Sequence, residues 1–154
     1  MQASKQLRRR DLLAMGAMGA AFAGLAPGKA QAASFTAAER ANIRTVKDFC
    51  EAWSTRDVAR VSAFFADDAV YRVLETAKPL IGKQAIGQML TKFLQQTRKV
   101  EFHVFETYAA GPIVLTHRHD SFVSARATRS FNVAGVFFLR NGKIAEWTDY
   151  TIKA

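Results

Sequence analysis

Near residue 98 the apolar residues of this chain change their period. Before that point they recur every three or four positions, and after it they alternate. Thr36-Ala37-Ala38-Glu39 fits a capping box, and Ile43, Val46, Phe49, Cys50 and Trp53 follow at helical spacing. Asp57 is placed to cap a shorter helix carrying Val58, Val61, Phe64 and Phe65, which Ala66-Asp67-Asp68 closes. A first strand, Ala69–Glu75, puts Tyr71, Val73 and Glu75 on one face. Pro79 and Gly82 punctuate a loop. A third helix, Lys83 to about Gln96, repeats Ile86, Met89, Leu90, Phe93 and Leu94. Four strands then follow at Lys99–Tyr108, Ile113–Ser124, Ser130–Arg140 and Lys143–Ile152, the last two joined by the hairpin signal Asn141-Gly142. Helices gathered before a meander predict an α+β domain, with three N-terminal helices packed on one face of a curved, mostly antiparallel sheet around one pocket.

The chain has 154 residues, enough for one domain. Its first segment reads as a targeting signal. Arg8-Arg9-Arg10 precedes Asp11-Leu12-Leu13 and the uncharged run Leu12–Ala26, which is too short to span a bilayer. Ala30-Gln31-Ala32 supplies the small residues of a cleavage site. Arg9-Arg10-Asp11-Leu12-Leu13 resembles the twin-arginine export motif. The expectation is a signal peptide over 1–32, a domain over 33–154, an exported, periplasmic protein and no stable membrane insertion after cleavage. Without that segment 17 Lys and Arg face 12 Asp and Glu, so the net charge falls from +9 to +5. The remaining basic residues are scattered, which argues against nucleic-acid binding. The single cysteine, Cys50, excludes an internal disulfide and reads as a small core residue.

The strand Ile113–Ser124 carries the polar residues that fit a core least well. Arg118 and Asp120 leave one face together with Val114, Thr116 and Phe122. His117 and His119 leave the other with Ile113, Leu115 and Ser121. Neither face is cleanly polar, so periodicity leaves a surface ion pair and a buried one both open. The last strand then places Asp149 on a face with Ala145, Trp147 and Thr151. An unpaired charge in an apolar strand is costly, and one cation between two carboxylates solves the problem. Two carboxyls held in opposite protonation states are a general acid and a general base. His117-x-His119 has a spacing that can ligate a metal, but no third ligand lies near in sequence, and a polar outer face is the simpler reading. Trp53, Phe64, Phe93, Phe122, Phe131, Phe137 and Trp147 read as mostly core, with some lining a pocket. Arg126 and Arg129 read as a solvated connection.

The element order, with Asp67-Asp68-Ala69-Val70-Tyr71 after the second helix and Gly82-Lys83-Gln84-Ala85-Ile86 opening the third, resembles the nuclear transport factor 2-like (cystatin-like cone) superfamily over roughly residues 36–152. Leu115-Thr116-His117-Arg118-His119-Asp120 and Lys143-Ile144-Ala145-Glu146-Trp147-Thr148-Asp149-Tyr150 are similar to the limonene-1,2-epoxide hydrolases and SnoaL-like members of that superfamily. The resemblance implies one-step epoxide opening, with Asp149 as base, Asp120 as acid, Arg118 as bridge and Tyr71 positioning water. Where the family has an Asn beside that Tyr, this chain has Val73. The resemblance further implies a small hydrophobic substrate, no cofactor, no metal, and a homodimer through the outer sheet face at positions such as Val136 and Phe138. Val73, Phe122 and Trp147 are expected to line the pocket. Ketosteroid isomerase- or polyketide cyclase-like chemistry, and a non-catalytic periplasmic binding protein, are the alternatives.

Overall fold

The computed structural model describes residues 34–152. The proposed signal peptide over 1–32 lies outside them. The first helix, α1 (Ala37–Ala52), opens with the predicted capping box: Glu39 N donates to Thr36 Oγ1 at 3.2 Å and Thr36 N to Glu39 Oε2 at 2.7 Å. A 3₁₀ turn at Trp53–Thr55 follows. Asp57 caps α2 (Val58–Ser62), accepting from Arg60 N at 3.0 Å. The third helix is α3 (Lys83–Gln96).

The six strands are β1 (Phe65–Arg72), β2 (Leu80–Ile81), β3 (Thr97–Ala110), β4 (Ile113–Ser124), β5 (Thr128–Arg140) and β6 (Lys143–Ile152). They form one sheet in the order β2-β1-β6-β5-β4-β3. Every pairing is antiparallel except β1 with β6. Register shifts that leave extra residues in β1, β3 and β6 mark bulges, which bend strands and raise their twist. Asn141 and Gly142 both have positive φ, 52° and 71°, as the tight hairpin between β5 and β6 requires.

The first strand departs from its sequence-based expectation. Alternation predicts Ala69–Glu75 after a helix that includes Phe64 and Phe65. The helix instead stops at Ser62, and β1 starts at Phe65 and ends at Arg72. Long-range pairing decides this, because Phe65 lies opposite Ile144 of β6 in parallel register. Phe65 is buried and packs edge-on against Phe49, with ring centroids 5.4 Å apart. The short β2 strand is a second departure: Leu80 and Ile81 pair with Tyr71 and Val70 where a plain loop is expected.

The core lies between the inner face of the sheet and the helices. Phe49 of α1 stands at its centre, edge-on to Trp53, Phe64, Phe65, Phe137 and Trp147. Trp147 stacks on Tyr71 at 4.1 Å and lies parallel to Phe137 at 5.6 Å. Offset and edge-on arrangements of this kind add about 0.5–1.5 kcal/mol per pair beyond simple burial. Cys50 is buried in this core and its thiol is pushed up to about 12 by that burial, so it is a packing residue.

Candidate active site

Alternation along β4 settles which face turns inward. Val114, Thr116, Arg118 and Asp120 are all buried, whereas Ile113, Leu115 and His117 are exposed. Arg118 is wholly inaccessible, so the surface ion pair is excluded. Its guanidinium is held by polar groups of two strands, β4 and β6. Nε lies 2.8 and 3.1 Å from the two oxygens of Asp120. Nη1 donates to Thr116 Oγ1 at 3.1 Å. Nη2 stands 2.7 Å from Asp149 Oδ2, an ion-pair contact whose N–H is poorly aligned for a hydrogen bond. Asp149 is fixed from its other side by Trp147, whose Nε1 donates to Oδ1 at 2.7 Å.

Arg118 and Asp149 belong to strands that do not touch, since β5 runs between them. Gly135 of β5 makes the bridge possible. It pairs with Thr116 on one side and Asp149 on the other. A Cβ at this position would overlap Arg118 Nη1 and stand 2.8 Å from Thr116 Oγ1. The guanidinium therefore crosses β5 through the space a side chain would fill. Sequence reasoning missed Gly135. Its signal was available, because a glycine inside an otherwise apolar strand often marks a close approach. Phe102 was missed as well: the guanidinium lies 5.0 Å from its ring centroid, 5.6 Å from Trp147 and 6.0 Å from Phe137. A desolvated cation gains more from such faces than an exposed one.

Burial governs the charges here. It pushes the Asp120 carboxyl up to about 6, against the pull of Arg118. Burial also raises Asp149, opposed by Arg118 and by the Trp147 hydrogen bond. For Arg118 burial disfavours the charge, but Asp149 and then Asp120 outweigh it, and the guanidinium stays protonated. Tyr71 is raised well above the ordinary phenol range, by burial first and by the Asp149 charge second, so its hydroxyl remains a neutral donor.

Asp120 and Asp149 open onto an apolar cavity of about 300 Å³. Tyr71, Val73, Phe122 and Trp147 line it, as do Trp53 and Phe102. Val73 reaches the cavity from the bend beyond β1 and not from the strand, and it is 47% exposed at the mouth. Glu75 lies in the same bend region and is exposed. Of the aromatics expected to divide between core and pocket, Phe131 is 41% exposed and lines the cavity mouth. Arg129 is exposed as expected, yet it also lines the cavity, because β5 begins at Thr128 and carries Arg129 onto the inner face.

His117 and His119 lie on the outer face of β4. His119 sits opposite His103 of β3, and its Nδ1 is 3.0 Å from Asn132 Oδ1. Among the described residues, no group of three or more His, Cys, Asp or Glu is placed to hold a metal ion. The inner arrangement can do acid–base chemistry: one fixed cation joins two carboxyls, both shifted toward neutrality by burial and both facing a site for an apolar molecule.

Known proteins resemble this chain over most of its described residues. The SnoaL-like domain family matches residues 46–147. A curated relative, "Epoxide hydrolase EphG" of Mycobacterium tuberculosis (strain ATCC 25618 / H37Rv), is 31% identical over 105 residues, which is 68% of this chain and 69% of that protein. The solved structure of an M. tuberculosis LEH-like epoxide hydrolase superposes with a TM-score of 0.68 at 28% identity, covering 74% of this chain and 84% of that one. A putative polyketide cyclase from Xanthomonas campestris pv. campestris superposes with a TM-score of 0.65 at 18% identity, over 73% of this chain and 90% of that one, and shows the fold alone. The fold is α+β, with a curved mixed sheet and N-terminal helices, of the nuclear transport factor 2-like kind.

Proposed function

The chain belongs to the SnoaL-like domain family, and from that premise we propose that it adds water to a small hydrophobic epoxide in one step. The observation that carries the reading is the buried guanidinium joining two carboxyls at the floor of an apolar cavity. Asp149 takes a proton from a water held with the help of Tyr71. The water oxygen attacks one epoxide carbon, and the bond from that carbon to the epoxide oxygen breaks. Asp120 delivers its proton to the departing oxygen, giving a vicinal diol. The proton gained by Asp149 then returns to Asp120 across Arg118, restoring the starting state. The reaction consumes one water and needs no oxidant or reductant. The epoxide hydrolase relative at 31% identity supports this choice of chemistry. General acid–base groups contribute on the order of 10²–10⁴-fold each. Asp149→Asn and Asp120→Asn are therefore each expected to remove diol formation from an epoxide panel while circular dichroism stays native. Full turnover by either variant sinks the mechanism.

A second reading rests on Val73. A valine side chain cannot hold water, so the nucleophile has fewer partners than in the epoxide hydrolases. A ketosteroid isomerase- or polyketide cyclase-like enzyme would use Asp149 or Asp120 as base on carbon, with Tyr71 as oxyanion donor. Enone isomerisation without diol formation would select it. Ligand-induced thermal stabilisation with neither reaction would select a non-catalytic binding protein.

The outer sheet face suits a homodimer. Ile113 and Leu115 of β4 pair with Phe138 and Val136 of β5, and Ile113, Leu115, Phe138 and Tyr108 are all well exposed. A sedimentation mass of one mature chain would rule this out. Export to the periplasm rests on residues 1–32 alone, and retention of the precursor in the cytoplasm of a twin-arginine translocation mutant is its check.

A further inference from the structure

The cavity has two chemically different ends. Three successive β4–β5 pairs step along the inner face from the floor to the mouth: Arg118 with Val133, Asp120 with Phe131, and Phe122 with Arg129. Each step is about 7 Å along the strand. Of the side chains lining the cavity, only Asp120, Asp149 and Arg129 carry charge. The rim around Arg129 is apolar and open, with Phe131, Val73 and Leu74 each 40% exposed or more. Among the described residues, no carboxylate lies within ion-pair distance of Arg129.

An exposed arginine is ordinary on a protein surface and ordinarily worth little. This one stands on the concave face, where its inner-face neighbours are aromatic, and no acid of the described chain answers it. The floor offers an anion nothing. Arg118 already balances Asp120 and Asp149 and has no exposed surface. A second anion there would meet two carboxyls. The mouth is the one part of the cavity wall with an open cation.

We propose that Arg129 is a specificity residue for a carboxylate: the cavity takes an apolar molecule with a carboxylate at one end, docked on Arg129, and its reactive group at the other, against Asp120 and Asp149. A single guanidinium suits a monoanion and offers a planar fork that matches a carboxylate. A phosphate monoester would need further cations, and the lining holds none. Arg129 touches the substrate's head and takes no part in bond breaking. The orientation of the substrate follows from the charges, head outward and reactive end inward. For the hydration proposed above, on whose reading of the cavity this inference rests, the substrate is an epoxy acid and the product a dihydroxy acid.

The test measures binding without turnover. Octanoate and its neutral amide, octanamide, are titrated into the full mature protein by calorimetry at low and high salt. The wild type is expected to bind octanoate about fivefold more tightly at low salt. The preference should shrink as salt screens the exposed pair. R129Q should lose the preference, R129K should keep most of it, and R126Q, altered in the same connection but outside the cavity lining, should keep all of it. Equal affinity for the two probes in the wild type overturns the proposal. So does a preference that survives R129Q, and so does an absence of binding by both probes up to their solubility limits. Because neither probe reacts, the result is independent of epoxide hydration: a protein that prefers the acid but forms no diol retains this inference and loses the proposed reaction, and the converse separates them the other way.

Discussion

The two faces of β4 carry polar residues one position apart and treat them in opposite ways. On the outer face His117 is exposed and His119 is half-buried, with its Nδ1 3.0 Å from Asn132 Oδ1. On the inner face Arg118 and Asp120 are taken out of water and tied to groups from β4 and β6. The residues do not differ in capacity, since a histidine pair is as versatile as an arginine and an aspartate. They differ in what surrounds them. In water a charge is solvated wherever it stands. Under an aromatic core each charge must be matched, and the matching supplies the groups that the proposed mechanism uses as acid, base and bridge.

The comparison breaks first at Arg118. Arg118→Met leaves two buried carboxyls with no cation, and breaking a buried pair costs about 3–5 kcal/mol. Urea denaturation should show a loss of that size together with loss of turnover. A stability change within about 0.5 kcal/mol of wild type would mean the guanidinium does not neutralise the floor. Gly135→Ala comes next. The added methyl occupies the space of Nη1, and overpacking of this kind costs about 1–3 kcal/mol. Turnover should fall as the bridge between Asp120 and Asp149 is pushed aside. Unchanged kcat would show that the guanidinium can cross β5 by another route.

The pH dependence sharpens the contrast further. Asp120 and Asp149 have pKa values raised by folding, Asp120 to about 6. The native state therefore holds more protons than the unfolded chain between about pH 4 and 6. Their contribution to stability is largest in acid and is lost as pH rises through about 6. The difference in stability between wild type and Asp120→Asn should fall by on the order of 2 kcal/mol from pH 4 to pH 7. Turnover should decline on the alkaline side as the acid loses its proton. A difference that grows with pH would place the lowered pKa in the native state and reverse the assignment. The smallest effect belongs to the outer face: His117→Ala should leave kcat unchanged and stability within about 0.5 kcal/mol, and a larger loss would show that this face also is under constraint.

Much of this was legible in the residues. The capping box at Thr36 and Glu39, the extent of α3, the hairpin at Asn141 and Gly142 and the face of β6 that carries Trp147 and Asp149 are all local patterns, and each is present. Arg118, Asp120 and Asp149 were picked out because charge is unexpected on strands so apolar, and they meet. Where β1 begins was not legible. Phe65 reads as helical in its own context and is a strand residue because Ile144, far along the chain, is its partner. Which aromatics would pack in the core and which would line the cavity was not legible either, and Phe131 stands half-exposed at the mouth.

The alternation of side chains and the order of elements thus determined, from the sequence alone, the fold class and the list of charges that required an explanation. Those are properties of neighbours within a few residues, and a strand's period of two is as plain in the sequence as in space. Which face of β4 turned inward could not follow from that period, because both faces were of mixed polarity. The tertiary structure decided it by packing α1 and the aromatic cluster onto the Arg118 side. It also opened the path over Gly135, by which a cation on one strand reaches a carboxylate two strands away. Burial of one face of β4 turned Arg118-His119-Asp120 from two readings into one: a residue pair has a single sequence, but its chemistry depends on the water it loses.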